Sequence, residues 1–359
     1  MSDRRPPEQT SFAERIVAWQ KTHGRHALPW QNTRDPYRVW LSEIMLQQTQ
    51  VATVVAYYER FIERFADVRA LAGADLGDVL AAWSGLGYYS RARNLHRCAR
   101  VVVSEHGGEF PATSAGLAAL PGIGRSTAAA IAVFCFGERV AILDGNVKRV
   151  LARVLAFDGD LAAARAEREL WAEATALLPE REIGSYTQGL MDLGATLCAA
   201  RSPQCLLCPV RDVCAGARAG TQERYPVKSR RLVRGRRKNV WLELRWRDAV
   251  WLVERAASGV WAGLWSLPEV DSIEALAATT RGWPGSGEVL DPFVHVLTHL
   301  DWHLQPVRWT FPAATPASAL APLLAAWPGG RWLTHDAALA LGLPAPLRKR
   351  LQVEATAGA

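Results

Sequence analysis

The chain has 359 residues, of which 49% are apolar, and a formal net charge of +7. This length and composition favour two domains, each with its own core. The opening stretch MSDRRPPEQTSFAERIVAWQ mixes charges and prolines and lacks the apolar core of a signal peptide. No later stretch is long and apolar enough to cross a bilayer. We therefore expect a soluble cytoplasmic protein without membrane contacts.

The segments that precede residue 225 have the apolar spacing of amphipathic helices. In VWLSEIMLQQTQVATVVAYYERFIERF one stripe includes Trp40 and Ile44, and in VKRVLARVLAF another includes Val147 and Val150. Gly and Pro interrupt these segments at SGLGYYS, LPGIG and LDGN, with no long alternating strand pattern between them. We predict an all-α first domain over residues 1–224.

Glu43 lies at the border of the first apolar stripe, between Trp40 and Ile44. A carboxyl group at such a border is partly desolvated, which raises its pKa toward the range of a general acid or a water-activating base. A surface glutamate at the edge of an amphipathic helix is the commoner explanation of this position.

The stretch LPGIGRSTAAAIAVFCF joins a tight Gly-x-Gly turn to a helix rich in Ala and Ile. Gly122 and Gly124 allow conformations and close approaches that a Cβ would forbid, so nearby amides can face a phosphate. With Arg125 and Ser126 after the turn, the stretch resembles a helix-hairpin-helix that binds the DNA backbone. An ordinary helix turn with a Ser or Thr cap is the alternative.

Asp144 follows the apolar run VAIL and precedes Gly145, Asn146 and a strongly periodic helix, so a helix cap would explain it. Together with Glu43, it also suits cleavage of an N-glycosidic bond. That reaction needs protonation of a departing purine and stabilisation of a cationic, oxocarbenium-like sugar. One carboxyl group must donate a proton, and the other must stay ionised.

The stretch CAARSPQCLLCPVRDVC, residues 198–214, has the cysteine spacing C-x6-C-x2-C-x5-C. Disulfides are disfavoured in a reducing compartment, so these thiols are predicted to bind a metal. Four thiolates suit either tetrahedral zinc or a cubane iron–sulfur cluster. The predicted ligands are Cys198, Cys205, Cys208 and Cys214.

A basic run, YPVKSRRLVRGRRKNV, follows this loop and has no acidic residue. Its cations equal the net charge of the chain, and the run suits either a solvated linker or contact with a polyanion. Its charged members are Lys228, Arg230, Arg231, Arg234, Arg236, Arg237 and Lys238.

Beyond the basic run the pattern changes to short β-favourable segments. VWLELRW and VWLVERA flank Arg247 and Asp248, and VRWTFPA follows later. We predict a smaller α+β domain over residues 239–359, joined by a basic linker over residues 225–238.

Several stretches together resemble the MutY-type adenine DNA glycosylases of the endonuclease III superfamily, in order and at similar separations. They are LPWQNTRDPYRVWLSEIMLQQTQVATV, GLGYYSRARNLH, LPGIGRSTAAAI, ILDGNVKRVLAR and the cysteine loop, within residues 12–225. The resemblance implies a base excision repair enzyme that flips adenine out of double-stranded DNA and hydrolyses its glycosidic bond. The adenine would be mispaired with 8-oxoguanine or guanine. The resemblance also implies one 4Fe-4S iron–sulfur cluster on the four cysteines, and a monomer.

Roles for individual residues follow from this resemblance. Glu43 matches the proton donor to adenine and the activator of the water, and Asp144 matches the carboxylate that stabilises the sugar cation. Gln48 and Tyr88 match residues that wedge into the base stack. The matches to the adenine pocket are Arg25, Leu28, Trp30 and Gln188. The further matches to DNA-binding positions are Gly122, Gly124, Ser126 and Asn146.

Ser126 separates two chemistries. Related bifunctional glycosylases place a lysine after the Gly-x-Gly-Arg turn, and that lysine attacks the sugar to form a Schiff base. Serine cannot form this imine, so a monofunctional glycosylase with weak or no lyase activity is predicted.

The C-terminal half resembles the Nudix-like domain with which the family reads the 8-oxoguanine strand. A Phe-Ser-His triplet that lies against the oxidised guanine is matched by Leu297, Thr298 and His299, with an aliphatic side chain in the aromatic position. A working nucleotide pyrophosphatase would need a Glu-rich box to hold magnesium, and only Asp271 and Glu274 come near.

Two other functions share the scaffold: a glycosylase specific for thymine or uracil mismatches, and a catalytically silent DNA-binding protein. The presence of both Glu43 and Asp144 argues against the silent protein. The triplet that begins at Leu297 favours 8-oxoguanine recognition over a plain thymine mismatch.

Overall fold

The computed structural model describes residues 7–229 and 233–357. The chain divides into two compact units, residues 1–73 with 94–231 and residues 74–93 with 232–359. Arg230 and Arg231 of the basic run lie outside the described residues. Among those that are described, no helix has the length and apolar character needed to cross a membrane.

Helices dominate the first unit. In chain order up to residue 229 the helices are α1 (Pro7–His23), α2 (Pro36–Leu46), α3 (Val51–Arg64), α4 (Val68–Gly73), α5 (Leu76–Ala82), α6 (Ser90–His106), α7 (Ser114–Ala118), α8 (Arg125–Ile131), α9 (Gly145–Val154), α10 (Ala164–Ala176), α11 (Ile183–Ala195) and α12 (Ala215–Arg218). A π-helical turn, Ala132–Phe136, continues α8, and short 3-10 turns occupy Cys205–Leu207, Arg211–Val213 and Gln222–Arg224. Of these helices, α5 and the first residues of α6 belong to the second unit.

The start of α2 is set by local chemistry. The Asp35 side chain accepts a hydrogen bond from the Tyr37 amide (2.9 Å), and Pro36 occupies the first helical position, where no amide hydrogen is needed. A loop over residues 47–50 separates α2 from α3, although the apolar stripe runs through both helices. Gln48 in this loop has φ 57°, a left-handed conformation that ends the helix.

The core of the first unit forms where α1, α9 and α11 pack together. Ile16, Leu151 and Leu193 are fully buried there, and Phe12 packs edge-on against Tyr186 with ring centroids 6.2 Å apart. A Cβ on Gly189 of α11 would lie 2.7 Å from Ile16 Cγ2, so glycine permits the close approach of α1.

A mixed sheet forms the centre of the second unit. Its strands are β1 (Gly235–Trp246), β2 (Ala249–Glu254), β3 (Trp265–Ser266), β4 (Glu269–Val270), β5 (Ser286–Val289), β6 (Phe293–Val296), β7 (Leu300–Phe311) and β8 (Arg331–Thr334). The accompanying helices are α13 (Ile273–Thr279), α14 (Ala317–Leu320), α15 (His335–Leu339) and α16 (Ala345–Ala357). The strand order is β3-β2-β1-β7-β5, with β4 beside β1, β6 beside β7 and β8 beside β2. The central pair β1 and β7 is parallel, with Gly235 opposite Leu300, and the other pairs are antiparallel.

Alternation along β1 separates the two faces of this sheet. Leu242 and Leu244 belong to an apolar core that also contains Leu276 of α13. Elsewhere in the same unit Trp261 stacks on Trp302 with centroids 4.7 Å apart. The predicted all-α and α+β architectures are both confirmed.

A buried carboxylate ties several elements of the second unit together. The Glu243 side chain is 1% exposed and accepts hydrogen bonds from the Nε atoms of Arg245 (2.8 Å), Arg308 (2.7 Å) and Arg350 (2.6 Å). Arg245 and Arg308 also pair with Glu354. Burial alone would raise the pKa of Glu243, but the guanidinium groups outweigh it and the net pKa is lowered.

Candidate active site

A cavity of about 210 Å³ lies in the first unit between α2, α11 and the loop that joins α1 to α2. This volume is below the ~300–1,000 Å³ typical of pockets for drug-sized ligands, so the cavity suits a ligand about the size of one nucleobase.

The four residues predicted for the adenine pocket all line this one cavity. Arg25, Leu28, Trp30 and Gln188 all line the cavity, and so does Glu43. Other lining side chains are Gln20, His26, Gln31, Asn32, Val39, Leu46, Phe134 and Met191. The lining thus mixes apolar side chains, which can pack against a planar ring, with many polar groups that can fix its orientation.

Glu43 lies on α2, is half-buried and lines the cavity. Burial raises the pKa of its carboxyl group from 4.5 to about 8, and the nearby Asp144 carboxylate adds to the rise. A carboxyl group with this pKa is largely protonated at neutral pH, which a general acid requires.

Asp144 is the N-cap of α9. Its Oδ1 accepts a hydrogen bond from the Val147 amide (2.7 Å), so Asp144 is the helix cap that the sequence suggested. A capping carboxylate keeps its other oxygen, so this role does not conflict with the predicted stabilisation of a sugar cation. Burial raises the pKa of Asp144, while the amides of Val147 and Asn146 and the positive charge of Arg149 act in the opposite direction. The cap fixes the carboxylate near Glu43 in a different electrostatic environment.

Asp192 is a site residue that the sequence did not reveal. Its side chain is fully buried, and its two oxygens accept hydrogen bonds from the Arg25 amide (2.9 Å) and from Arg25 Nε (2.6 Å). Gln188 Nε2 also donates to Asp192 Oδ1 (2.9 Å). A single carboxylate therefore positions two cavity side chains. The signal in the sequence was its place four residues after Gln188 on α11, inside the apolar stretch GLMDLGA.

The predicted hairpin lies between α7 and α8. Gly122 has φ 77°, and a Cβ there would lie 2.6 Å from the Asn94 Cβ, so glycine is required. Gly124 has φ −81°, and the space that a Cβ would occupy there is open, so the conformational reason predicted for both glycines applies to Gly122 alone. The Ser126 hydroxyl accepts a hydrogen bond from the Leu143 amide (3.2 Å), next to Asp144.

The two predicted wedge residues both have a strained backbone. Gln48, in the first unit, and Tyr88, in the second, are exposed and have φ 57° and φ 48°. A left-handed non-glycine residue costs about 1–3 kcal/mol and is commoner at functional sites than elsewhere.

The predicted reader triplet lies at the turn between β6 and β7. The Leu297 amide donates to the Leu300 carbonyl (2.8 Å), which closes the turn, and Thr298 and His299 are exposed. Within the same unit, the Thr298 and Tyr88 hydroxyls lie 3.1 Å apart, at hydrogen-bonding distance. Thr298 is thus positioned by Tyr88, which the sequence predicts as a residue that wedges into the base stack.

Comparison with known proteins bears on this arrangement. A family model described as HhH-GPD superfamily base excision DNA repair protein matches residues 41–175, and a NUDIX domain model matches residues 240–353. An adenine DNA glycosylase of Buchnera aphidicola subsp. Schizaphis graminum is 32% identical over 350 residues, with 95% of this chain and 98% of that protein covered. This chain belongs to the adenine DNA glycosylase family.

Other members and neighbours of the adenine DNA glycosylase family agree with this assignment. The adenine DNA glycosylase of Homo sapiens is 32% identical over 399 residues, covering 92% of this chain and 71% of the human protein. A solved thermostable thymine-DNA glycosylase superposes with a TM-score of 0.53 at 28% identity, covering 59% of this chain and 97% of that one. The resemblance predicted from the sequence is therefore confirmed.

The four cysteines of this family member line one cavity, whose walls include Val150, Leu193 and Val210. Burial raises the pKa of the Cys208 thiol to about 11, and the thiols of Cys198, Cys214 and Cys205 contribute to the rise because they lie nearby. Within residues 7–229 and 233–357, no group of three or more His, Cys, Asp or Glu side chains is arranged to hold a metal ion. Four thiols around one cavity are a donor set that either a zinc ion or an iron–sulfur cluster can use.

The body of α9 connects this loop to the cap at Asp144. Arg149 donates to the Cys198 carbonyl (2.8 Å) and to Asn146 Oδ1 (2.7 Å), so Asn146, a predicted DNA-binding residue, also has an internal partner. Arg153 Nη1 lies 3.3 Å from Cys198 Sγ. Arg149 and Arg153 of α9 therefore hydrogen-bond to the cysteine loop, while Asp144 caps the start of the same helix.

Proposed function

We propose that this chain is a monofunctional adenine DNA glycosylase of base excision repair, acting on adenine mispaired with 8-oxoguanine or guanine in duplex DNA. One observation carries the proposal: a carboxyl group with a pKa of about 8, Glu43, lies in the wall of a base-sized cavity beside a capped carboxylate, Asp144. The names of the relatives, adenine DNA glycosylases along most of the chain, support the same substrate.

The two carboxyl groups divide the reaction between them. Protonated Glu43 donates its proton to a ring nitrogen of the flipped adenine, which makes the base a better leaving group. As the glycosidic bond breaks, positive charge develops on the sugar, and ionised Asp144 stabilises it. Glu43 is then ionised and accepts a proton from the attacking water. Adenine and a DNA abasic site are the products.

The pocket residues supply binding and orientation. Gln188 gives its amide NH₂ to Asp192, which leaves its carbonyl oxygen free to accept from an exocyclic amine. Arg25 is held through Nε, so its terminal nitrogens remain donors. These groups complement the donor and acceptor pattern of adenine.

Monofunctional chemistry rests on Ser126. Its hydroxyl already accepts the Leu143 amide and cannot form an imine with the sugar. We expect strand breaks only after alkali treatment of the product.

The second unit is proposed to read the 8-oxoguanine strand through Leu297, Thr298 and His299. The alternative, a pyrophosphatase, would need a Glu-rich box to hold magnesium, and only Asp271 and Glu274, both exposed, come near one in the sequence. Glu269, another acid of this region, is engaged by Arg237 and Arg255. The same proposal includes a glycosylase domain over residues 1–224, a basic linker over 225–238 and a recognition domain over 239–359. It also includes a monomeric state and a cytoplasmic location.

The cofactor is proposed to be one 4Fe-4S cluster held by Cys198, Cys205, Cys208 and Cys214. When bound, such a cluster pins the loop and offers one-electron chemistry. Iron analysis together with a visible absorption spectrum separates it from zinc, because zinc is colourless. A colourless protein with stoichiometric zinc would contradict this part.

The specificity is tested with a panel of duplexes that carry adenine opposite 8-oxoguanine, guanine or thymine, and thymine opposite guanine, under single-turnover conditions. We expect adenine excision to be fastest opposite 8-oxoguanine, slower opposite guanine, and accompanied by no thymine excision. The solved thymine-DNA glycosylase that shares the fold makes thymine the competing substrate. Thymine release without adenine release would replace the proposal with that competitor.

A further inference from the structure

The basic run that follows the first unit is partly folded into the sheet. Strand β1 begins at Gly235, so Arg236, Arg237 and Lys238 are strand residues rather than a free linker. Because side chains alternate along a strand, Arg236 and Lys238 share one face and Arg237 points to the other. The parallel register places Arg236 opposite Asp301 and Lys238 opposite His303 of β7.

The cations of the two faces differ in their partners. Arg237 donates to Glu269 (3.0 Å) and lies over the Trp302 ring at 4.3 Å, so it stabilises the fold. Over residues 7–229 and 233–357, Arg236 and Lys238 make no ion pair, and both are exposed. The earlier Arg234 pairs with Asp301 (3.1 Å).

A cavity of about 470 Å³ opens beside this face, lined by Lys238, His303 and Gln305 together with Val294 and other residues. An acidic lining residue, Asp271, lies within hydrogen-bond distance of Asn239 Nδ2 (3.4 Å). The face therefore combines a concave surface lined by Lys238 with a second exposed cation, Arg236, two residues away on the same strand face, as expected for a polyanion contact.

The register connects this face to the proposed reader turn. Gly235 lies opposite Leu300, the first residue after the turn, and Lys238 is three residues farther along β1. At about 3.3 Å per residue, Lys238 lies roughly 10 Å from the level of the turn, which corresponds to roughly three nucleotides along one DNA strand.

We propose that Arg236, Lys238 and His303 form a track that binds the phosphate backbone of the strand read by the β6–β7 turn, over about one to three nucleotides from the read base. The inference rests on the proposed function for the identity of that strand. A nucleic acid fits better than an acidic peptide because the face continues directly from the turn and carries charges at the regular two-residue spacing of a strand.

The first experiment measures the affinity of the full chain for an undamaged duplex as a function of salt. The double variant Arg236→Gln/Lys238→Gln should reduce the slope of log K against log salt by about 1.8, because each neutralised phosphate contributes about 0.9. The matched control, Arg237→Gln/Lys349→Gln, replaces Arg237 on the opposite strand face and Lys349, an exposed residue of α16. It also removes two charges but leaves the track intact, so its slope should stay at the wild-type value. Melting curves verify that both variants are folded.

The second experiment assigns the strand. We place neutral methylphosphonate linkages over about the first three nucleotides from the lesion. In the 8-oxoguanine strand they should abolish the difference in affinity between wild type and the track variant, whereas in the adenine strand they should leave that difference unchanged. The track would be overturned if wild type and the track variant had the same slope of log K against log salt. It would also be overturned if the control variant lost as much slope as the track variant. Intact adenine release by the same wild-type sample would then leave the proposed function standing, whereas a chain that binds no duplex would overturn both.

Discussion

The raised pKa of Glu43 predicts how the reaction responds to pH. The change from 4.5 to about 8 corresponds to about 5 kcal/mol in favour of the protonated carboxyl group. At pH 7 about ten molecules would carry protonated Glu43 for each ionised one, whereas an ordinary carboxyl group would be protonated in fewer than about one in a hundred. Since the proton donor must be protonated, the rate of adenine release should fall about tenfold per pH unit above pH ~8.

The assay is single-turnover excision from a duplex with adenine opposite 8-oxoguanine, over pH ~5 to ~9.5, with alkali cleavage after the quench. Duplex affinity measured across the same range controls for loss of binding, and circular dichroism controls for unfolding. A rate that stays constant up to pH ~9.5, or that falls with an apparent pKa near 4.5, would refute the role assigned to Glu43.

The pH dependence of the free energy of unfolding checks the raised pKa of Glu43 independently, because a raised pKa fixes the direction of the change. The folded state holds the Glu43 proton more tightly than the unfolded state, so the free energy of unfolding decreases as pH rises from 4.5 to about 8. Glu43→Gln carries no titrating group and lacks this decrease. Relative to wild type, the variant should gain stability between these pH values, by at most about 5 kcal/mol. Denaturant titrations at both ends of the range measure the difference, and a constant difference would contradict it.

Three further predictions concern residues that position the site or the fold. Asp192→Asn leaves Arg25 without its carboxylate and should lower the single-turnover rate about 10- to 100-fold while duplex affinity is retained; an unchanged rate would show that the carboxylate is dispensable. Gly122→Ala should destabilise the chain by more than about 1 kcal/mol and weaken duplex binding, whereas Gly124→Ala should be tolerated, and equal effects would contradict the left-handed turn. Glu243→Gln should lower the free energy of unfolding by about 3–5 kcal/mol at neutral pH. Because the folded pKa of Glu243 lies below 4.5, wild type loses this advantage only as pH falls through that lower value, which acid titration of both proteins would reveal.

The sequence was sufficient for features whose cause is local. The spacing around Glu43, the cap position of Asp144 and the β-favourable segments after Val240 each depend on neighbours in the chain, and these predictions gave the correct architecture in both units. The four pocket matches depended on the family resemblance instead, and the structure places all of them around one cavity.

Features with distant causes could not be predicted. Asp192 acquires its place in the site from Arg25, which is 167 residues away, and Glu243 acquires its partners from Arg308 and Arg350, 65 and 107 residues away. The break between α2 and α3 depends on the left-handed backbone of Gln48, which a continuous apolar stripe does not reveal.

Direct detection of free adenine tests the central claim most simply. Excess enzyme is incubated with a duplex that carries adenine opposite 8-oxoguanine, and the released base is quantified by chromatography for wild type, Glu43→Gln and Asp144→Asn. We predict one adenine per duplex from wild type, none from Glu43→Gln within the same time, and a severe loss in Asp144→Asn, with duplex binding retained in all three. Adenine release by Glu43→Gln at the wild-type rate would contradict the account, because the proton would then come from another group.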